Sequence, residues 1–301
     1  MARAPLPVRA GLGPDRLRMP VAQPGVPQVA TVAEFLFAQF PDERDEWLSR
    51  IDGGEVVDEH GRAVDLATPY MPTRFIYFYR QPPPEPAVPF SVDVIYRDET
   101  IVVADKPHFL ATIPRGAHIV ETALVRLRRD LDLPDLIPAH RLDRMTAGVV
   151  VFVVQPRHRR AYQELFSSRQ VEKEYEALAP YDEALEFPRT VRSRIVKEHG
   201  VMTASEEPGE PNSETHIDVL EQRGVRARYQ LKPITGRTHQ LRLHMSSLGL
   251  PIEGDNYYPT FQRVPADDFT NPLQLLARRL SFTDPVTGSP QSFASNRSLN
   301  W

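Results

Sequence analysis

The sequence predicts an α+β protein, a sheet flanked by helices and preceded by a smaller α+β module. Three observations point there. Segments with apolar residues at helical spacing are interspersed with segments that alternate or run apolar like strands. A proline-rich stretch at 81–89 divides the chain. A length of 301 residues suits one larger domain plus a small one.

The elements follow in order. Residues 1–28 carry Arg3, Arg9, Arg16 and Arg18 among prolines and are expected to be a disordered, mildly basic tail without the apolar stretch of a secretory signal. In 29–80, Val32, Phe35, Leu36 and Phe40 sit at helical spacing, as do Trp47, Leu48 and Ile51. Glu55–Asp58 and Arg62–Leu66, around a turn at Glu59–Gly61, read as a short hairpin. The order helix, helix, hairpin resembles a small RNA-binding module of ribosomal proteins. Asp42, Glu43, Asp45 and Glu46 make it acidic, so a purely structural domain is an equal reading. The linker at 81–89 should be stiff and extended, with the larger domain at 90–301.

In that domain Val92–Tyr96 and Ile101–Ala104 flank a polar turn and predict a hairpin. Thr122–Arg129 is an expected helix with Leu124 and Leu127 inward, and Val149–Val154 an expected fully buried strand. His158–Arg169 is amphipathic and helical. Val171–Leu178 and Arg226–Leu231 read as strands, and Thr238–Leu248 as a helix stopped by Gly249 and Pro251.

Composition narrows function. The absence of cysteine excludes disulfides, thiolate zinc sites and a cysteine nucleophile, and it fits a reducing cytoplasm. No apolar run approaches the length of a membrane span. A formal net charge of −4 argues weakly against nucleic acid as a partner, although one basic face would suffice.

Three blocks carry the chemistry-bearing residues. The first is His140-Arg141-Leu142-Asp143-Arg144-Met145-Thr146-Ala147-Gly148, in a loop that feeds the buried strand. Alone, Asp143 reads as a turn or cap residue paired with a neighbouring arginine. The second is Val171–Leu178, where Lys173 and Tyr175 share a strand face; Tyr175 alone reads as an ordinary half-buried aromatic. The third is Pro233–Met245, with Arg237 at a strand-to-helix junction. His239 and His244 fall on different helix faces, so they make no zinc pair and read as polar surface positions. No phosphate-binding glycine loop and no metal cluster is evident.

Taken together, the blocks resemble the RluA family of RNA pseudouridine synthases. That family carries a His-Arg-Leu-Asp-x-x-Thr-Ser-Gly loop, a Lys-x-Tyr-x-Ala strand and a Thr-Gly-Arg-Thr-His-Gln segment leading to Gly-Asp-x-x-Tyr. All occur here in the same order, and Tyr96–Pro107 and Leu273–Gly288 are similar to the family's opening hairpin and closing strands. The likeness spans about 90–290. Ala147 stands where the family usually has Ser, and His108-Phe109 replaces a small residue and Gly; both bear on the loop that shapes the cleft.

The resemblance implies a mixed, mostly antiparallel sheet with a central active-site cleft. It implies isomerisation of specific uridines in RNA, with 23S ribosomal RNA favoured and transfer RNA the alternative. Asp143 would be the nucleophile, paired with Arg237, with Tyr175 against the uracil. Arg141 would fill the space left by a flipped base, or contact a phosphate beside it. His140, Arg144 and Lys173 would also meet RNA, and Arg157, Arg159, Arg160 and Arg169 form either a backbone-binding face or a solvated helix face. The isomerisation oxidises nothing and loses no group, so no cofactor or metal is expected. RNA is the expected partner of a cytoplasmic monomer. Two other readings compete: a hydrolase with Asp255 as a second acid, and a non-catalytic RNA-binding or ribosome-assembly protein.

Overall fold

The computed structural model describes residues 4–21, 29–82 and 84–301. The chain divides into two compact units, Met1–Pro83 and Pro84–Trp301.

The first unit contains β1 (Asp15–Arg18), α1 (Val32–Gln39), α2 (Arg44–Asp52), β2 (Val57–Asp58) and β3 (Phe75–Phe78). Thr31 caps α1 by accepting the Glu34 N–H, and the Glu34 carboxylate reaches back to the Ala30 N–H. The strands pair in the order β1-β3-β2, over a core that includes Leu36, Trp47, Val56, Ile76 and Phe78. Residues 15–18, expected in a disordered tail, instead form β1, antiparallel to β3 with Leu17 opposite Ile76. The reason is apolar: Leu17 packs on the core and Met19 is buried in it. Of the expected tail, positions 1–3 and 22–28 lie outside the described residues. The expected hairpin turn closes as Asp58 N–H donates to Arg62 O and Val64 N–H to Val56 O, but the strand partner of β2 is β3.

The second unit contains β4 (Asp93–Arg97), β5 (Ile101–Lys106), α3 (Ala123–Asp130), β6 (Ile137–Pro138), β7 (Ala147–Val153), α4 (Arg159–Ser167), β8 (Glu172–Pro180), β9 (Arg189–Val196), β10 (Ser205–Glu207), β11 (Ser213–Arg223), β12 (Arg226–Pro233), α5 (Gln240–Ser247), β13 (Leu275–Thr283) and β14 (Pro290–Ala294). One sheet runs β10-β9-β11-β12-β8-β13-β7-β5-β4, with β14 on β13 and β6 on β7. The β13–β7 pair is parallel. The pairs β5–β7, β8–β13 and β11–β12, among others, are antiparallel, which makes the sheet mixed.

β5 and β7 are buried along their whole length. On one face Val102, Ala104, Val150 and Phe152 share a core with Leu124 and Leu127 of α3. On the other, Ile101, Val103, Val149 and Val151 pack with Tyr162 and Leu165 of α4. A strand covered on both faces needs no polar alternation, which is why residues 149–153 are uniformly apolar. In the other half of the sheet Ala177, Tyr229 and Leu231 pack with Leu241 and Met245 of α5.

The expected linker is only partly a linker. The Glu85 carboxylate accepts the N–H groups of Ile119, Val120 and Glu121, and Val88 is buried in the core of the second unit. A proline-rich segment can therefore be stiff and still be packed. Among the described residues no helix is long and apolar enough to cross a membrane.

Gly148 sits where β7 meets β13. Its φ is +114°, and a Cβ there would lie 2.2 Å from Ala277 O. Gly148→Ala is expected to cost about 3 kcal/mol or more from backbone strain and overpacking together. A denaturant midpoint equal to wild type would contradict this placement.

Candidate active site

The loop that carries Asp143 joins β6 to β7, and the segment after β5 holds it from beneath. Lys106 is fully buried; its Nζ donates to Pro107 O (2.9 Å), Leu110 O (2.8 Å) and Arg144 O (3.3 Å). Burial lowers the Lys106 pKa to about 7, against the pull of Asp143. Thr112 Oγ1 donates to Leu142 O (2.8 Å) and accepts the Leu142 N–H. The His108 ring bonds Met145 O at 2.8 Å; burial lowers it to about 4, so the neutral ring donates to that carbonyl. The chain then turns, Thr146 N–H donating to Asp143 O.

The Asp143 side chain keeps 36% of its surface exposed. One oxygen lies 3.9 Å from Arg242 Nη1 and 3.9 Å from His239 Nε2. Arg242, on α5, is 2% exposed and forms a fork with Asp255: Nε to Oδ2 at 2.7 Å and Nη2 to Oδ1 at 2.5 Å. Burial works against its charge, but the Asp255 bonds and the charges of Asp255 and Asp143 outweigh that and raise its pKa. Tyr257 and Tyr258 lie 4.6 and 5.5 Å from the guanidinium carbon. Asp255 also accepts the N–H groups of Tyr257 and Tyr258, so both its oxygens are engaged.

The turn into α5 explains the third block. Gln240 Oε1 accepts from Thr235 Oγ1 (2.7 Å) and the Arg237 N–H (3.0 Å), while its Nε2 donates to Glu214 O and Thr215 Oγ1. His239 enters the helix at φ +56° and bonds Tyr258 Oη through Nδ1 at 2.9 Å. Burial lowers the His239 pKa, and the negative charge of Asp143 only partly restores it.

The structure corrects several expectations about single residues. Arg237 does not pair with Asp143: it is exposed and its Nε donates to Asn212 O at 3.1 Å. It precedes the helix, whereas Arg242 lies within it on the side packed toward the loop. His239 and His244 are not surface positions. His239 faces Asp143, and His244 is fully buried among Ser193, Ser213 and Thr215. His140, expected to meet RNA, is partly buried: its ring stacks 4.2 Å from Phe166 and its Nε2 accepts the Val151 N–H. Burial lowers it to about 3, so it is neutral.

Of the other expected residues, Tyr175 is half-buried against the core. Burial, with the charge of Asp143 adding to it, raises its pKa and keeps the phenol protonated. Arg141 is exposed. Arg144 is half-buried and donates to Ala266 O at 3.2 Å. Lys173 Nζ donates to Thr235 O at 3.0 Å; burial lowers it to about 8, Arg169 contributing. Arg169, Lys173, Lys232 and Arg279 line a cavity of about 360 Å³ that also receives Glu172 and Glu174. Arg160 is engaged by Glu164, and Arg159 by Asp135. Lys106, His239, Arg242 and Tyr257 were not singled out from sequence as site residues.

Known proteins resemble this chain in sequence and in fold. A family model described as RNA pseudouridylate synthase matches residues 100–247. The dual-specificity RNA pseudouridine synthase RluA of Salmonella typhi is 32% identical over 226 residues, 70% of this chain and 94% of that protein. An uncharacterised RNA pseudouridine synthase of Synechocystis is 29% identical over 219 residues, 72% of this chain and 75% of that protein. Among solved structures, human RNA pseudouridylate synthase domain containing 4 matches with a TM-score of 0.53 at 27% identity, covering 68% of this chain and 88% of that one. Human RNA pseudouridylate synthase domain containing 1 matches with a TM-score of 0.55 at 25% identity, covering 71% and 86%. With its motifs in order on a matching fold and 94% of an RluA relative covered, this chain belongs to the RluA family of RNA pseudouridine synthases.

Proposed function

We propose that this enzyme isomerises specific uridines of 23S ribosomal RNA in the cytoplasm, as a monomer, after flipping the base out of its stack. The observation that carries the catalytic assignment is the partly exposed Asp143 carboxylate, 3.9 Å from a guanidinium that Asp255 holds rigid.

The Asp143 carboxylate adds to the uridine, at the ribose carbon or at the ring. The bond from ribose to nitrogen 1 breaks, the base turns, and a bond from ribose to carbon 5 forms. Carbon 5 then loses its proton, nitrogen 1 gains one, and the carboxylate leaves unchanged. Arg242 directs the carboxylate and balances its charge without being consumed. Tyr175 offers a ring against which uracil can turn. Arg141, exposed two residues before Asp143, enters the space the base vacates. Arg169, Lys173, Lys232 and Arg279 carry the flanking phosphates.

A hydrolase reading finds little support. Asp255, the carboxylate it would need as a second acid, has a side chain 1% exposed and is already committed to Arg242 and the backbone. A transfer RNA target is the second reading, and the name dual-specificity RNA pseudouridine synthase of the RluA relatives leaves room for more than one RNA. Transcripts carrying tritium at uracil carbon 5 separate the readings. Tritium should be released to water from 23S transcripts, with no free uracil. Release from transfer RNA alone would move the target, and free uracil would indicate hydrolysis.

The unit that precedes the catalytic one is proposed to hold large RNA. Deleting residues 1–79 is expected to weaken binding to ribosomal RNA while a short stem-loop substrate is still modified. Unchanged affinity for ribosomal RNA would make that unit purely structural.

A further inference from the structure

The chain between Asp255 and Leu273 leaves the active site and returns to β13, and both of its ends are tied down. At the start, Asp255 accepts the N–H groups of Tyr257 (2.7 Å) and Tyr258 (3.1 Å), and Gln262 N–H donates to Asn256 O (2.7 Å). At the end, Arg144 donates to Ala266 O, and the Phe269 ring stands edge-on to Phe109 (5.5 Å) and Phe90 (6.1 Å). Phe109 is 3% exposed at φ +65°, a backbone conformation uncommon for a bulky side chain. The ring contacts compensate for that strain. The sequence thus gives up the small residue and Gly of the family pattern for His108, which bonds Met145 O beside Asp143, and Phe109, which holds Phe269 of this loop.

Between these anchors Phe261 is 47% exposed. Its ring lies 5.5 Å from Tyr257, Tyr257 lies 4.6 Å from the Arg242 guanidinium, and Arg242 faces Asp143. A file of flat groups therefore leads from the nucleophile to a ring open to solvent. A lone exposed aromatic residue on a protein surface needs no explanation. This one sits on an ordered loop, one ring from the guanidinium that faces the nucleophile, with exposed Arg263 two residues on.

We propose that Phe261 is the platform of a second nucleotide subsite, which stacks an unpaired base adjoining the flipped uridine while Arg263 meets the phosphate beside it. The inference rests on the RNA isomerase reading and deepens it. Every base has a π-face, so such a platform sets the register of the strand and adds affinity without dictating which base sits there. Base identity would be read elsewhere.

The test uses the full chain and a stem-loop containing the uridine that the wild type modifies. Phe261→Ala is expected to raise KM about ten-fold or more, the scale of one lost stacking contact, and to leave the rate at saturation little changed. Phe261→Trp should restore KM, because a larger ring stacks as well. With RNA made abasic at the neighbouring nucleotides, the wild type should fall to the level of Phe261→Ala, and the variant should lose nothing further. A wild-type KM in Phe261→Ala, or an equal further loss from abasic RNA in both proteins, would overturn the subsite. Wild-type turnover of the intact RNA in the same assay checks the isomerase reading separately, and matching melting curves exclude a folding defect.

Discussion

Asp143→Asn is expected to abolish pseudouridine formation, lowering turnover by about 10⁴-fold or more, the scale on which loss of a nucleophile acts. An amide keeps the shape of the carboxyl but cannot form and release the covalent bond. The fold should survive. Asp143 is anchored through the backbones of its neighbours, by Lys106, Thr112 and His108, and its side chain makes longer approaches to Arg242 and His239. Melting temperature and RNA affinity should therefore stay close to wild type. Undiminished turnover with a normal melt would remove Asp143 from the chemistry.

Arg242→Lys is expected to lower turnover by about 10²-fold or more, because a point charge cannot keep the fork on Asp255 and face Asp143 at once. Arg237→Lys, in an exposed residue of the same block, should keep most activity. The pair of variants discriminates sharply: a severe loss in Arg237→Lys with a mild one in Arg242→Lys would contradict the site geometry. Arg242→Ala is a poorer test of chemistry. It leaves Asp255 buried without its partner, a defect that costs about 3–5 kcal/mol in folding.

Where burial dictates sequence, the fold was readable in advance. Residues 149–153 are uniformly apolar because α3 and α4 cover both faces of β7, and residues 123–130 show the periodicity of a helix lying on one face. β9 and β11 gave weaker signals. Their Arg192, Glu214 and His216 alternate with Val191 and Ile217, a pattern easily taken for a charged loop. β1 was hidden because Leu17 and Met19 are the few apolar residues among arginines and prolines.

The site was legible to the level of its blocks, and less so residue by residue. Asp143 and Tyr175 could be singled out because their blocks resemble a family pattern. The choice between Arg237 and Arg242 depends on which way a short helix turns after the left-handed residue His239, and on an acceptor thirteen residues farther along the chain. Neither is visible in spacing. Asp255 could be weighed as an acid, but only its two hydrogen bonds to Arg242 identify it as the anchor of the guanidinium. Lys106 gave no signal beyond its place before Pro107, since the three carbonyls it binds come together only in the fold.

The central claim is that Asp143 drives isomerisation of uridine in cellular RNA. Carbodiimide labelling and sequencing of total RNA, from cells with and without this gene, tests it most directly. The account predicts loss of one or a few pseudouridines in 23S ribosomal RNA, restored by the wild type and not by Asp143→Asn. Restoration by Asp143→Asn to wild-type levels would contradict it.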